Sequence, residues 1–297
     1  MEWFRQGKGV THGYKMKDLH SVSGVSKQSM YKYRKSKKLA KEQEILVCRA
    51  MENMRKEHKK LSSRKIYKVQ KELLNIKIGR DKFEQIAFSY GYRVKRKRNV
   101  MKTTWGQRVE VYPDLVSGKE INGINQVFQS DIFYLKIQGE DYYGVTIEDI
   151  YSRRLLSLHI SKSMRAEENI KALKKVLKVR NKESLIGCIF HSDTGSQYIS
   201  NIQKSLLTEL GMKKSMCDIA QKNAYVERIQ GTLKYEYFFE NKLTKKNIAC
   251  VSNKIMKLYN QERPHINLDY KTPAEFEKYI QKLKEKDRPV LKIYQWN

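Results

Sequence analysis

The chain has 297 residues, with 61 Lys and Arg against 32 Asp and Glu, which gives a formal net charge of +29 and a sequence pI near 9.8. Hydrophobic residues make up 40% of the chain, which excludes a disordered basic tail, and the length predicts about two domains. No run approaches the roughly 18 consecutive apolar residues of a membrane span, and the charged N-terminus lacks the apolar stretch of a signal peptide. The sequence therefore predicts a cytoplasmic protein without a membrane partner.

The cysteines agree with this prediction. Cys48, Cys188, Cys217 and Cys250 lie far apart, and none belongs to a Cys-x-x-Cys pair of the kind found in zinc sites and redox motifs. We therefore expect four reduced thiols that act as small core residues.

The positive charge is unevenly distributed along the chain. Residues 1 to 110 contain 30 Lys and Arg and 10 Asp and Glu, a net of +20, whereas the remaining residues contain 31 and 22, a net of +9. A surplus of this size favours a polyanionic partner, and the phosphate backbone of a nucleic acid is the usual one. The alternatives are a solubilising surface, an acidic protein partner or a membrane surface.

Residues 1 to 45 are interpreted as a basic N-terminal arm. The segment LHSVSGVSKQSMYKYRKSKK predicts a short helix, a Ser-Gly turn and a second helix that begins at Ser26. A helix, a turn containing glycine and a second basic helix form a weak signal of a DNA-binding helix-turn-helix.

Residues 46 to 100 predict a small basic helical DNA-binding module. A first helix is expected from about 45 to 58, a second after the capping candidates Ser62 and Ser63, and a third from Asp81 to Gly91. The apolar positions expected to pack the second and third helices are Ile66, Val69, Leu73, Phe83, Ile86, Ala87 and Tyr90.

A dense basic cluster follows these helices. Five of six residues are positive, and they are Arg93, Lys95, Arg96, Lys97 and Arg98. Such a run is either a solvated linker or a grip on DNA phosphates, and its position beside a helical module favours the second reading for Lys95 to Arg98. Residues 101 to 122 are then predicted to be a linker.

The character of the chain changes to α/β over residues 123 to 280. Segments 126–137, 141–151 and 154–160 are rich in β-branched and aromatic residues, and a hairpin turn is predicted at 138–141. A helix at about 166–179, a strand that ends at Asp193, a helix at about 200–210, a short strand at 212–215 and a helix at 224–239 follow. This order predicts a mixed five-stranded sheet covered by helices, followed by a basic C-terminal tail at 281–297.

Three carboxylates in this region are candidates for a metal site. Asp131 interrupts an apolar strand, Asp193 ends the fourth strand, and Glu227 borders the apolar stripe of the last helix. Taken singly, each has a structural alternative. Asp131 could be a hydrogen-bond acceptor, Asp193 a turn residue, and Glu227 a surface acid paired with Lys234. Together at one sheet edge they would repel one another unless a divalent cation, Mg²⁺ or Mn²⁺, lay between them.

The order and spacing of five motifs add to this reading. Asp131 and Asp193 are 62 positions apart, and 33 residues lie between Asp193 and Glu227. The motifs are QSDIFYL, EDIYSRR, FHSDTGSQY, SMCDIAQKNAYVERIQGTLKYE and YNQERPHINLDYKTPAEF. With them the chain resembles insertion-sequence transposases of the OrfB type, which have a retroviral-integrase-like, RNase H-like catalytic core.

The resemblance implies a DDE transposase that cuts element-end DNA and transfers the strand to target DNA. It implies two Mg²⁺ or Mn²⁺ ions held by Asp131, Asp193 and Glu227, and a Lys234 that touches the DNA backbone. It further implies a homo-oligomer, a dimer or larger, on DNA at the bacterial nucleoid, with an upstream-frame protein as a potential companion. The competing hypotheses are a non-enzymatic DNA-binding regulator and a metal-dependent nuclease without joining activity.

Other motif positions are expected to be structural. His191, Ser196 and Tyr198 match the loop beside the second aspartate, and Asp149 matches a structural position of the EDIYSRR motif. Around Arg263, Pro264 and His265, we expect Tyr259 and Pro264 to pack against the core.

Overall fold

A computed structural model describes residues 16–94, 112–217 and 223–294, and all structural statements below refer to these residues. The N-terminal part is helical, with α1 (Met16–Ser23), α2 (Lys27–Arg55), α3 (Ser63–Leu73) and α4 (Arg80–Ser89). Within the described ranges, no helix is both long enough and apolar enough to span a membrane.

The helix α2 is longer than the sequence analysis predicted. A helix does start after Ser26, whose hydroxyl accepts a hydrogen bond from the Ser29 amide. It then continues through position 45 as one helix of 29 residues, because no Gly or Pro interrupts the segment and strong helix formers fill it. The expected boundary between the arm and the module therefore lies inside a helix. Residues 31–42 are all exposed, and the first buried residue of α2 is Val47, so the predicted helix-turn-helix stays a prediction.

The three helices α2, α3 and α4 form the predicted small bundle. Its apolar core contains Val47, Ala50, Met51, Leu61, Ile66, Ile76, Phe83, Ile86 and Ala87. Two residues assigned to the apolar stripes, Leu73 and Tyr90, are instead 74% and 48% exposed. Both lie at helix C-termini, beyond the last turn that packs against a neighbouring helix.

A mixed five-stranded sheet forms the centre of the second unit, as predicted. Its strands are β2 (Val127–Ile137), β3 (Glu140–Asp149), β4 (Arg154–Ser161), β5 (Ile189–Asp193) and β6 (Lys213–Cys217), which follow β1 (Glu120–Ile121) in the chain. The spatial order is β4-β3-β2-β5-β6, with antiparallel pairing from β2 to β4 and parallel pairing of β5 with β2 and β6. The turn Gln138-Gly139 joins β2 and β3 with two positive φ angles, 53° and 83°, which suit the right-handed twist of a tight hairpin.

Helices cover both faces of the sheet. They are α5 (Ala166–Val176), α6 (Ser196–Ile199), α7 (Asn201–Glu209), α8 (Ala224–Thr232), α9 (Ile248–Gln261) and α10 (Pro273–Gln281). Phe128, Val145 and Ile147 pack against the side of α5 and α7, whereas Phe133 and Leu135 pack against α8 and α9. Because side chains alternate along a strand, Gln129 and Asp131 of β2 face α8 together with Phe133. Val176 at the end of α5 is buried, whereas Leu177, directly after it, is 37% exposed.

The end of the expected linker, residues 101–122, pairs with the expected C-terminal tail, residues 281–297, in a two-stranded sheet. Glu120 and Ile121 pair with Lys292 and Leu291 of β7 (Leu291–Lys292), and Ile293 is 5% exposed. The segment after residue 281 is therefore packed rather than a free basic tail, because its apolar residues complete a core beneath α10.

The helical bundle contacts the sheet unit directly. His58 Nδ1 lies 2.9 Å from the Tyr237 hydroxyl, Lys60 pairs with Glu240 at 2.8 Å, and Lys254 pairs with Glu57 at 2.7 Å. Desolvation of the buried His58 ring lowers its pKa to about 4, so this contact uses a neutral imidazole at physiological pH.

Candidate active site

Asp131 lies in the middle of β2, on the face covered by α8. It is directly opposite Thr146 of β3, and its Oδ1 accepts a hydrogen bond of 2.8 Å from the Ile132 amide. The neighbouring Gln230 of α8 donates to the Thr146 hydroxyl at 3.3 Å. The sheet therefore holds a carboxylate in a partly buried position between a strand and a helix.

Asp193 is brought to the same level of the sheet by the register of β5. Val127 pairs with Ile189 and Gln129 with His191, an offset of 62 residues that also separates Asp131 from Asp193. Hydrogen-bonded pairing stops at His191, and Asp193 ends the strand with its Oδ1 3.2 Å from the Gly195 amide. Since neighbouring strands lie about 4.8 Å apart, the spacing in the sequence is the spacing that aligns the two aspartates.

Glu227 lies in the first turn of α8, which is anchored to β2. The Val226 amide donates to Gln129 Oε1 at 3.3 Å, and Asn223 Nδ2 donates to the Ser130 carbonyl at 3.3 Å. The predicted stripe of Val226, Ile229 and Leu233 is buried, whereas Glu227 itself is exposed. The helix thus sets Glu227 beside the strand that carries Asp131.

The electrostatics link the three carboxylates. Burial, together with the negative charges of Asp193 and then Glu227, raises the pKa of Asp131 to about 7, against the opposing effect of the Ile132 hydrogen bond. Burial also raises the pKa of Asp193, and partial desolvation raises that of Glu227. Three acids that are destabilised in this way provide the hard oxygen ligands that a divalent cation favours.

The chemistry of these side chains indicates which kind of metal ion they could hold. Across residues 16–94, 112–217 and 223–294, no group of three or more His, Cys, Asp or Glu side chains is close enough to hold one ion. The oxygen chemistry and the mutual repulsion of Asp131, Asp193 and Glu227 fit a divalent cation, whereas a ready three-ligand cage is not present among these residues.

Lys234 follows Glu227 on the same helix, in a π-helical turn at Leu233–Tyr237. Its ammonium lies 5.4 Å from the centre of the Phe133 ring, two residues along β2 from Asp131. Desolvation lowers the pKa of Lys234, and the Asp131 carboxylate opposes this shift. The structure therefore brings Lys234 beside Asp131, and its contact with DNA stays a prediction. The other predicted DNA contacts, Lys95 to Arg98, lie outside the described residues.

The motif positions expected to be structural are supported by their contacts. Asp149 is fully buried and accepts hydrogen bonds from the amides of Asn125, Tyr151 and Ser152 at 2.8, 3.0 and 3.3 Å. The Tyr198 hydroxyl lies 3.0 Å from Ser130 Oγ, and His191 Nδ1 lies 2.9 Å from Ser215 Oγ. These groups organise the turns and strands around the carboxylates.

Two buried ion-pair clusters were not predicted from the sequence. Glu277 of α10 is 3% exposed and accepts from Arg154, Arg180 and the Ser152 hydroxyl, which ties the EDIYSRR turn to the C-terminal helix. Tyr259 is buried as expected, and Arg263 packs over its ring and also holds Glu236 through two hydrogen bonds of 2.8 and 2.7 Å. A single sequence offers little signal for such pairs, because the partners are far apart and charged residues are usually exposed.

Comparisons with known proteins agree with this architecture. Two family models, both described as integrase core domain, match residues 122–222 and 216–273. The uncharacterized 31 kDa protein of insertion element IS600 from Shigella sonnei is 31% identical over 213 residues, 69% of this chain and 77% of that protein. The transposase for insertion sequence element IS904 from Lactococcus lactis is 31% identical over 160 residues, 52% of this chain and 62% of that protein.

Solved structures with a similar fold include viral integrases. The HTLV-2 integrase catalytic core domain in complex with magnesium matches at 20% identity with a TM-score of 0.41, over 52% of this chain and 97% of that one. A chain of the simian T-cell lymphotropic virus intasome matches at 20% identity with a TM-score of 0.43, over 73% and 74%. On the strength of the insertion-element relatives, this chain belongs to the family of insertion-sequence transposases with an integrase core domain.

Proposed function

We propose that this protein cuts DNA at the ends of its insertion sequence and joins the freed strand to target DNA. The observation that carries the proposal is the shared register of Asp131 and Asp193 on neighbouring strands, with Glu227 beside them on α8. We assign these three carboxylates as ligands of two divalent ions, Mg²⁺ or Mn²⁺, in agreement with their oxygen chemistry.

The reaction is a phosphoryl transfer at a DNA phosphodiester. Two divalent ions held by Asp131, Asp193 and Glu227 would supply activation of an attacking oxygen and stabilisation of a leaving oxygen. The protein's own residues orient the site: Asp131 is fixed by the strand, and α8 is fixed to that strand through Gln129 and Asn223. Lys234, whose cation lies near Asp131, neutralises a phosphate next to the cleaved bond.

Binding of DNA outside the catalytic site is assigned to the basic N-terminal third. Between Lys27 and Lys41, seven of fifteen residues are Lys or Arg and none is acidic. Nearly all of them are exposed on one long helix, so a continuous line of positive charge is available to a phosphate backbone. We further propose that two or more copies act together at the nucleoid, since two element ends must be held for joining, with or without an upstream-frame companion.

The assignment of the triad is tested with an Asp193→Asn variant and labelled element-end DNA in Mg²⁺. We expect cleavage to fall by at least about 100-fold with DNA binding unchanged, because the lost ligand supplied several kcal/mol of transition-state stabilisation. The matched control is Asp141→Asn, an exposed aspartate of β3 whose only ion pair in the described structure joins it to Lys136 on the surface.

The same experiment separates the competing functions. Cleavage that survives Asp193→Asn would refute the triad assignment. Wild-type protein that binds element ends but never cuts them would indicate a DNA-binding regulator. Wild-type protein that nicks but never joins DNA would indicate a nuclease.

A further inference from the structure

A polar cavity lies between the helical bundle and the catalytic helix α8. Its volume is about 170 Å³. Lys65 enters it from α3, Arg153 from the turn between β3 and β4, and Arg228 from α8. The cavity opens to solvent beside the exposed residues Arg228 and Ile266. Three separate parts of the chain therefore contribute a cation to one small space.

These three cations form no close ion pair in the described part of the chain, although Glu148 lies near Arg153 and Arg228. Neither Lys65, Arg153 nor Arg228 has a carboxylate within 4.0 Å among those residues. The remaining cation of the cavity, Arg263, is already held by Glu236 at 2.7 Å. Desolvation and then the neighbouring Arg263 lower the pKa of Lys65 to about 8, and the Glu236 carboxylate offsets them only in part.

The position of Arg153 is specified by the backbone and by an aromatic ring. Its φ of 58° lies in the left-handed region, which is uncommon for a residue other than glycine. Its guanidinium lies 4.1 Å from the centre of the Tyr225 ring on α8, a distance typical of a cation–π contact. The turn thus holds a cation in a fixed place rather than on a freely moving side chain.

Two buried polar atoms in the cavity have no hydrogen-bond partner among the described residues. They are Glu148 Oε2 and His265 Nε2, in side chains that are 2% and 8% exposed. Burial raises the pKa of Glu148 to about 8, so that its carboxyl is largely neutral at physiological pH and can donate a hydrogen bond. Unsatisfied buried polar atoms are costly, and a polar ligand in the cavity would satisfy them.

We propose that this cavity binds one backbone phosphate of DNA through Lys65, Arg153 and Arg228. The inference rests on the proposed function and adds a second point of attachment to it. Arg228 directly follows Glu227, so a phosphate bound here fixes the DNA strand relative to the active-site helix. Because Lys65 belongs to the bundle and Arg153 to the core, the same phosphate bridges the two units.

The test uses Lys65→Met and Arg153→Asn in the full chain. Methionine keeps the length of the lysine stem, and asparagine tolerates the left-handed backbone. The control is Lys174→Met, which removes the same charge from an exposed position on α5, on the opposite face of the sheet. The probe is a duplex of the element's terminal sequence, and affinity is measured as a function of salt concentration.

Each cavity variant should bind the duplex about tenfold more weakly and reduce the slope of log affinity against log salt by about 1. A scan of single neutral methylphosphonate linkages should reveal one position that weakens the wild type but not Arg153→Asn. Without DNA, Lys65→Met should raise the thermal midpoint, because it removes a desolvated cation that has no close ion pair among the described residues. The control should change affinity by less than about twofold.

Several results would overturn the inference. Affinities and slopes equal to those of the control would show that the cavity does not contact DNA. Stabilisation by inorganic phosphate that Lys65→Met abolishes, with DNA affinity unchanged, would show that it binds a free anion instead. Wild-type protein that neither binds nor cuts the duplex would refute the proposed function itself, which is a separate failure.

Discussion

The buried pair of Arg263 and Glu236 provides a quantitative test of how the catalytic helix is attached to the core. Glu236 belongs to the π-helical turn that also carries Lys234, and Arg263 follows α9. The two side chains are 6% and 19% exposed and share two hydrogen bonds of 2.8 and 2.7 Å. Breaking such a pair from one side costs roughly 3 to 5 kcal/mol, because the remaining charge stays buried.

The two single variants should therefore lower the free energy of unfolding by different amounts, and the double variant should lower it by less than the sum of the two. Glu236→Met leaves the more deeply buried Arg263 and should cost about 5 kcal/mol, whereas Arg263→Met leaves a carboxylate that regains water and should cost about 3 kcal/mol. The double variant buries two apolar side chains and should cost at least about 2 kcal/mol less than the sum.

Urea unfolding followed by far-ultraviolet circular dichroism measures these free energies. The matched control is the exposed pair of Lys182 and Glu209, at 3.1 Å with 51% and 65% exposure, for which the same substitutions should cost at most about 1 kcal/mol. Additivity of the Arg263 and Glu236 variants to within about 0.5 kcal/mol would refute the reasoning, since it would mean that the two charges do not depend on each other.

Three further predictions concern the basic helix, a buried acid and a close contact. Replacing three exposed lysines of α2 by glutamine should lower the salt slope of DNA binding by about 3, and arginine replacements should preserve it; the positions are Lys32, Lys35 and Lys38. The pKa of Glu148, raised to about 8, predicts that wild-type unfolding free energy falls by up to about 1.4 kcal/mol per pH unit between pH 5 and 8, since the unfolded acid ionises near 4.5. Glu148→Gln should remove that part of the decline in chemical denaturation at several pH values, and an unchanged slope would contradict it. Gly144→Ala should lower the thermal midpoint, because its Cβ would collide with the Phe133 ring and Ile160, at a cost of roughly 1 to 3 kcal/mol. Gly79→Ala, which meets no atom within 4 Å, should have little effect and serves as its control.

Local sequence patterns were sufficient to predict the central sheet. The alternation of apolar residues and the Gln138-Gly139 turn determine the hairpin of β2 and β3, whose register runs without interruption from Phe128 to Ile137. The candidate site was also accessible, because an aspartate within an apolar strand is unusual and its spacing to Asp193 matches the strand register.

Features that depend on distant partners were not predictable in the same way. The pairing of β1 with β7 involves two residues from each end of the catalytic unit, too few for a periodic signal. The helix α2 was divided at position 45 because its hydrophobic face begins there, although nothing in the backbone ends the helix. Glu148 was expected on an ordinary strand, and only the packing of α3, α8 and α9 around it makes it a buried acid.

The distribution of paired and unpaired charges connects the site to its substrate. In the described structure, three buried carboxylates away from the site have cations within ion-pair distance: Glu236 has Arg263, Glu277 has Arg180 and Glu168 has Lys171. The three carboxylates beside α8 have no such cation there, and the three cations of the polar cavity, Lys65, Arg153 and Arg228, have no anion within ion-pair distance. Leaving charges of both signs unpaired costs stability, so the arrangement favours a ligand that supplies both signs. DNA with bound divalent ions is such a ligand, because its phosphates match the cavity and its counterions match the carboxylates.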